Sequence, residues 1–157
     1  MGMRWALATV AMLCAWLAPS VPAHAGQGVA FATQMFVERV ETDLNGRTRR
    51  VLTSPARIVR GDRLIFIVNW RNQGERPMRD VALAIPDSVR VALDDPAMQV
   101  SVDGGNRWGR IGDLWLPTAL GGVRRAVAED VTHVRWAMPD AVPPGRSGRL
   151  SYRGVVR

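Results

Sequence analysis

The run Leu64-Ile65-Phe66-Ile67-Val68-Asn69-Trp70 constrains this chain more than any other stretch. β-branched and aromatic residues dominate it, a composition that fits a pleated and largely buried surface. Alternation places Leu64, Phe66, Val68 and Trp70 on one face and Ile65, Ile67 and Asn69 on the other. Both faces are mostly apolar, so the run predicts a central strand, with a second sheet against one face and loops or edge residues over part of the other. Gly61-Asp62 before it and Asn72-Gln73-Gly74 after it are turn signals. The run is too short to cross a membrane as a helix.

The flanking sequence repeats the pattern in weaker form. Val29 to Thr42 alternates raggedly and predicts a first strand. Asn45-Gly46 is a strong hairpin signal and predicts a two-residue type I′ turn, with positive φ at both positions. That turn would set Thr42 against Arg49, Glu41 against Arg50 and Val40 against Val51, an acidic arm facing a basic one. Further strands are expected at Arg79–Ile85, Val89–Leu93, Met98–Val102, Val131–Trp136 and Gly148–Val156, separated by Gly, Pro, Asn and Asp. Gly109 to Asp130 reads as a long loop with at most a short strand. No stretch keeps a helical period and none repeats. The expected fold is all-β, an antiparallel sandwich of about seven to nine strands.

Residues 1–25 form a separate unit. Met1 to Arg4 give a positive start, Trp5 to Ala18 an uncharged apolar run, and Ala23-His24-Ala25 a small-residue cleavage pattern. This is the order of a secretory signal peptide, which leaves residues 26–157 as one exported domain with no transmembrane segment after cleavage. The chain's one cysteine, Cys14, falls in the apolar run. A mature domain without cysteine must be held by its core rather than by disulfides. All 21 basic residues are arginine, against 14 acids. Codon usage in a GC-rich genome is the expected reason for arginine over lysine, with a functional role as the alternative. The positive balance itself would draw an exported protein to anionic polymers, anionic lipid or acidic polysaccharide. Export and the lack of a nucleic-acid-binding motif argue against nucleic acid.

Residues capable of catalysis are sparse. His133 is the only histidine of the mature chain, and its parity, opposite to Val134 and Trp136, reads as an outward strand position. No G-x-S-x-G elbow is present, and no zinc ligand set of the usual type can be assembled. The chain is therefore expected to be non-enzymatic and to carry no cofactor. Asp94, Asp95, Asp103 and Asp113 lack the spacing of a calcium loop and read as turn residues. Ser101-Val102-Asp103-Gly104-Gly105-Asn106-Arg107-Trp108 fits the S-x-D-x-G-x-x-W Asp box, in which a carboxylate ties a tight turn and an aromatic packs beneath it. Asn45, Gly46, Gly61, Asp62, Asp103, Gly104 and Gly105 are thus the expected structural turns. Trp70, Trp108, Trp115 and Trp136 are expected in the core. If any bind a ligand, the candidates are Trp108 and Trp115 with Arg107, Arg110, Arg124 and Arg125, and the ligand class is carbohydrate or anionic polymer.

Six elements occur in an order that resembles the bacterial conserved-repeat surface domain, domain-of-unknown-function family eleven. They are V-x-G-D-x-L-x-F at Val59–Phe66, N-x-G at Asn72–Gly74, Ile85-Pro86-Asp87, S-V-D-G-G at Ser101–Gly105, V-x-W at Val134–Trp136 and P-G-x-S-G-x-L-x-Y at Pro144–Tyr152. The resemblance implies an immunoglobulin-like sandwich and a structural or adhesive role in the cell envelope, through another envelope protein or self-association. A single copy and the Gly109–Asp130 insertion depart from the family's tandem habit.

Overall fold

A computed structural model describes residues 28–157; the signal-peptide reading of residues 1–25 lies outside them. Ten strands follow in order: β1 Val29–Thr42, β2 Thr48–Thr53, β3 Arg63–Asn72, β4 Met78–Ala84, β5 Val89–Val91, β6 Met98–Ser101, β7 Trp115–Pro117, β8 Val123–Arg125, β9 His133–Val142 and β10 Ser147–Val156. Two single 3-10 turns, Ile111–Asp113 and Ala128–Asp130, flank the β7–β8 pair. All strand pairs are antiparallel. They form a five-stranded sheet ordered β2-β1-β3-β10-β5, a three-stranded sheet ordered β4-β9-β6, and the β7–β8 hairpin.

β3 is central, as its composition requires. It pairs with β1 on one side and β10 on the other. Leu64, Phe66, Val68 and Trp70 are buried, while Ile65, Ile67 and Asn69 are only half-buried. The inward side chains meet those of the smaller sheet. Phe66 stacks on Tyr152 with ring centroids 4.6 Å apart, and Tyr152 tilts against Trp136 of β9 at 6.0 Å. Val100, Val134 and Val91 complete this core from β6, β9 and β5. Burial of each such side chain contributes roughly 1.5–3 kcal/mol. Trp136 also donates from Nε1 to Asp95 Oδ2 at 2.8 Å, which fixes the β5–β6 connection over the core.

Asn72 ends β3 and is buried, a role its place in a turn signal does not announce. Its Nδ2 donates to the carbonyls of Arg76 (3.0 Å) and Val142 (2.9 Å), and its Oδ1 accepts from Gly74 N–H at 3.0 Å. One amide therefore clips the β3–β4 turn to the end of β9. At the opposite end, Gly61 adopts φ +89° and its N–H donates to Val156 O at 2.9 Å, while Asp62 Oδ2 accepts from Val59 N–H at 2.9 Å. The Gly61-Asp62 turn thereby docks onto the end of β10.

The structure corrects several expectations. The β1–β2 connection is not a type I′ turn. Gly46 has φ +75° and Asn45 is not left-handed, and the loop is the three residues Leu44–Gly46. Asp43 decides this: its Oδ1 accepts from the N–H groups of both Asn45 and Arg47 at 2.9 Å, stabilising a type I turn with a left-handed glycine after it. The register moves by one residue, to Thr42↔Thr48, Glu41↔Arg49 and Val40↔Arg50. The acid–base ladder survives in this register, with Glu41–Arg49 at 3.1 Å and Glu38–Arg50 at 3.7 Å. Gly109–Asp130 contains an ordered hairpin rather than a loop. Buried Leu114 and Ala126 tie its base to the core, joined by Ala126 N–H donating to Leu114 O at 2.9 Å. β9 runs on past Trp136 to Val142, and the register irregularity opposite Met78–Asp80 accommodates Pro139.

Two measurements check this packing. A Cβ on Gly148 would lie 2.2 Å from the Trp70 ring, so Gly148→Ala should displace the indole and cost roughly 1–3 kcal/mol in a denaturant titration; an unchanged midpoint would mean the ring does not cross β10 there. Tyr152 is the chain's single tyrosine, and burial pushes its hydroxyl from 10.0 up to about 12. Neutral Tyr152 thus favours the fold below pH 10, and that contribution is lost as pH rises from 10 toward 12. Tyrosinate absorbance should appear only well above pH 10 or together with unfolding.

Candidate interaction surfaces

The box turn is built on Ser101, which is fully buried at the end of β6. Ser101 Oγ donates to Asp103 Oδ1 at 2.8 Å and accepts from Gly105 N–H at 2.9 Å. Asp103 in turn accepts from Arg107 twice, Oδ1 from its N–H (2.9 Å) and Oδ2 from its Nε (2.8 Å). Gly104 and Gly105 take φ values of +76° and +90°, which side chains rarely adopt. The chain is thereby turned so that the Trp108 ring lies against Gly105, 3.5 Å from where a Cβ would stand.

Trp108 also receives a residue that the sequence does not single out. Arg135 of β9 places its guanidinium 4.6 Å from the Trp108 ring centroid, held by Gln99 Oε1, which accepts from its Nη2 at 2.6 Å and its Nε at 3.1 Å. His133 meets the same indole edge-on at 6.4 Å and has Thr132 Oγ1 3.1 Å from its Nδ1. His133 and Arg135 project from the outer face of the three-stranded sheet, because Val134 and Trp136 fill the core. Trp108 is half-buried over that face. Alternation in β9 makes the outward direction of Arg135 legible in sequence; its stacking on a distant tryptophan is not.

Trp115, Arg124 and Arg125 come together on the β7–β8 hairpin. Trp115 is 43% exposed, and its cross-strand partner Arg125 lies 5.3 Å from the ring centroid. Arg124 grips Asp130 with both Nη groups at 2.6 Å, and Asp130 Oδ2 also accepts from Val127 N–H at 2.9 Å. Arg110 is exposed and leads into the first 3-10 turn through its carbonyl, which accepts from Asp113 N–H at 3.0 Å. The six candidate ligand contacts therefore sit on two local units, the box turn and the hairpin. Arg107 and Arg124 are occupied by carboxylates.

These pairs depress the acids. Hydrogen bonding from Arg107 holds Asp103 well below the usual carboxylate range, hydrogen bonding from Arg124 lowers Asp130, and a bond from its own backbone N–H together with Arg90 lowers Glu129. The other acids of the Asp94–Asp113 region serve turns and pairs. Asp94 lies 3.3 Å from Arg153, and Asp95 caps Ala97 N–H at 2.9 Å besides holding Trp136. Among the described residues no group of three His, Cys, Asp or Glu is placed to hold a metal ion. No helix among them is long and apolar enough to cross a membrane.

The remaining surface is an open strand edge. β2 covers β1 only over Val37–Thr42, so along Val29 to Phe36 the strand pairs with β3 on one side and with no described strand on the other. That segment, V-A-F-A-T-Q-M-F, carries no charge, proline or glycine. The other edges are protected in ordinary ways. β2 presents Arg49 and Arg50, β4 presents Arg79 and Asp80, β5 is three residues long, and β6 is bridged by Gly109 at Val100.

Comparison of the chain with protein-family models, with curated proteins and with solved structures finds no match.

The acid pairs fix a pH response. Asp103 and Asp130 lie below 3.8 and Glu129 below 4.5 in the fold, so their ionised forms stabilise it above those values and the contribution is lost as pH falls through them. The thermal midpoint should be nearly flat from neutral pH to about 5 and fall below about 4. Asp103→Asn should lower the midpoint at neutral pH and lose less on acidification; an unaltered acid slope would remove Asp103 from this role.

Proposed function

We propose that the chain is an exported, non-enzymatic immunoglobulin-like module of the cell envelope, acting by contact with another envelope protein through strand addition to β1. The observation that carries this reading is the uncharged edge at Val29 to Phe36, which no described strand pairs. An added strand satisfies the row of backbone donors and acceptors there, and alternate side chains of the edge supply specificity. Edges of this length and composition are ordinarily blocked by charge, proline or a bulge. The arginines of the β1–β2 hairpin guard the β2 edge and leave this one clear. The ordered resemblance to the conserved-repeat surface domain and the signal-peptide pattern of residues 1–25 support export and an envelope setting.

The test is site-specific photo-crosslinking in the protein's own cells. A crosslinker at Gln34 should yield a discrete envelope-protein adduct, whereas one at Arg79 on the β4 edge should not. Thr33→Lys with a charge neighbour at the edge, such as Ala32→Lys, should abolish the adduct with little change in thermal stability. Equal labelling from Arg79, or an adduct that survives both lysines, would exclude strand addition at β1.

A further inference from the structure

The outer face of the five-stranded sheet collects arginines from separate parts of the chain. Its register gives five outward rows: Ala30–Arg71–Ser147, Ala32–Asn69–Arg149, Gln34–Ile67–Ser151, Phe36–Ile65–Arg153, and Glu38–Arg63–Val155–Arg90. Arg50 of β2 lies on the same face opposite Val40. The single acid within these rows is Glu38. Three of the arginines are engaged at the end nearest the β1–β2 hairpin or along β5 and β10: Arg50 with Glu38 at 3.7 Å, Arg90 with Glu129 at 3.1 Å and Arg153 with Asp94 at 3.3 Å.

Arg63 faces Glu38 in register without an ion pair, whereas Arg71 and Arg149 at the opposite end have no acid in their rows at all. Both are exposed, and neither forms an ion pair with a described residue. Residues 1–27 contain no Asp or Glu that could reach them. They sit diagonally across β3 and β10, a separation of roughly 7–8 Å between backbones. Between and beside them lies an open depression of about 610 Å³, bordered along the middle by the Phe31–Trp70–Gly148 row and on either side by Ala30, Ala32, Asn69, Gln73 and Ser147. Small side chains make it shallow, while amides and a hydroxyl stand beside the two guanidinium groups. Arg149 Nε donates to Asn69 Oδ1 at 3.1 Å, which steadies the side chain and leaves its other donors for a ligand.

We propose that this trough binds an acidic polysaccharide, with Arg71 and Arg149 taking sugar carboxylates and Asn69, Gln73 and Ser147 taking hydroxyls. Charge complementarity selects an anion, and a planar guanidinium fork matches a carboxylate through two parallel hydrogen bonds. An open trough three strands wide accepts a chain rather than an enclosed small molecule. Nucleic acid is less favoured: Phe31 and Trp70 also border the depression, but alternation puts both in the row directed to the opposite face and Trp70 is buried, which leaves little ring surface for stacked bases. The site is separate from the Trp108 and Trp115 units and borders the β1 edge at Ala30 and Ala32: an added strand extends the sheet sideways, whereas the polymer lies on its face.

Titration of the mature protein with an oligogalacturonate, monitored by amide chemical shifts and calorimetry, tests the assignment. Shifts should concentrate at Asn69–Gln73 and Ser147–Arg149. Arg71→Gln with Arg149→Gln should weaken binding at least tenfold, while Arg49→Gln with Arg50→Gln, an equal charge change on the hairpin, should alter it less than twofold. A neutral oligosaccharide of the same length should not bind. Equal losses in the two double variants would reduce the effect to net charge and overturn the site. So would shifts centred on Trp108 or Trp115, or tighter binding of a single-stranded oligonucleotide or an anionic phospholipid vesicle under the same salt. Circular dichroism of each variant separates loss of binding from loss of fold.

Discussion

The stacked rings of Phe66 and Tyr152, closed by Trp136 from the facing sheet, are the contact on which the rest of the molecule depends. A sheet of antiparallel strands has no independent stability until one face is covered. Here the covering is made by three strands against five, joined where β3, β10 and β9 bring an aromatic to the same point. Asp95 holds the indole nitrogen, so the connection between β5 and β6 is fixed by the same ring that unites the sheets. With no cysteine among the described residues, this apolar contact and the buried Asn72 clip hold the fold without disulfides there.

The mismatch between three strands and five has consequences at the surface. Sheet area that the smaller layer does not cover extends through β1 and β2, and the β1–β2 hairpin projects from it with Leu44 fully exposed at its tip. Among the described residues the same architecture leaves half of β1 without a strand along one edge. On the outer face of the larger sheet no described strand lies, and alternation sends arginines from β2, β3, β5 and β10 to that side. The two proposed contacts, a protein strand at the edge and an acidic polymer on the face, arise from this one asymmetry and meet at Ala30 and Ala32.

Arginine has several physical roles in this chain. Arg107 and Arg124 complete turns by binding carboxylates, Arg125 and Arg135 cover indole rings, and Arg49 and Arg50 belong to a solvated ladder. Exposed pairs of this kind contribute little individually, about 0–1 kcal/mol. Their value is local order and charge neutralisation. Arg71 and Arg149 have no acid in their cross-strand rows.

The sequence by itself determined the all-β architecture, the central place of β3, the turns at Gly61-Asp62 and Ser101–Trp108, and the core positions of Trp70 and Trp136. These follow from composition, period-two alternation and short-range turn chemistry, which act over neighbouring residues. It did not determine the β1–β2 register, because the choice lay between an Asn-Gly turn and an Asp43-capped one that differ by a single hydrogen-bonding option. Nor did it reveal the hairpin in Gly109–Asp130, whose hold on the core comes through Leu114 and Ala126. The candidate surfaces were least legible. Trp108, Trp115 and the arginines near them were picked by proximity in sequence, whereas Arg135 reaches Trp108, and Arg71 meets Arg149, only through strand pairing. Which edge stays open and which arginines lack an acid depend on how far β2 covers β1 and how β10 registers on β3. Tertiary structure alone decides those, because pairing between distant strands is set by the packing of whole faces.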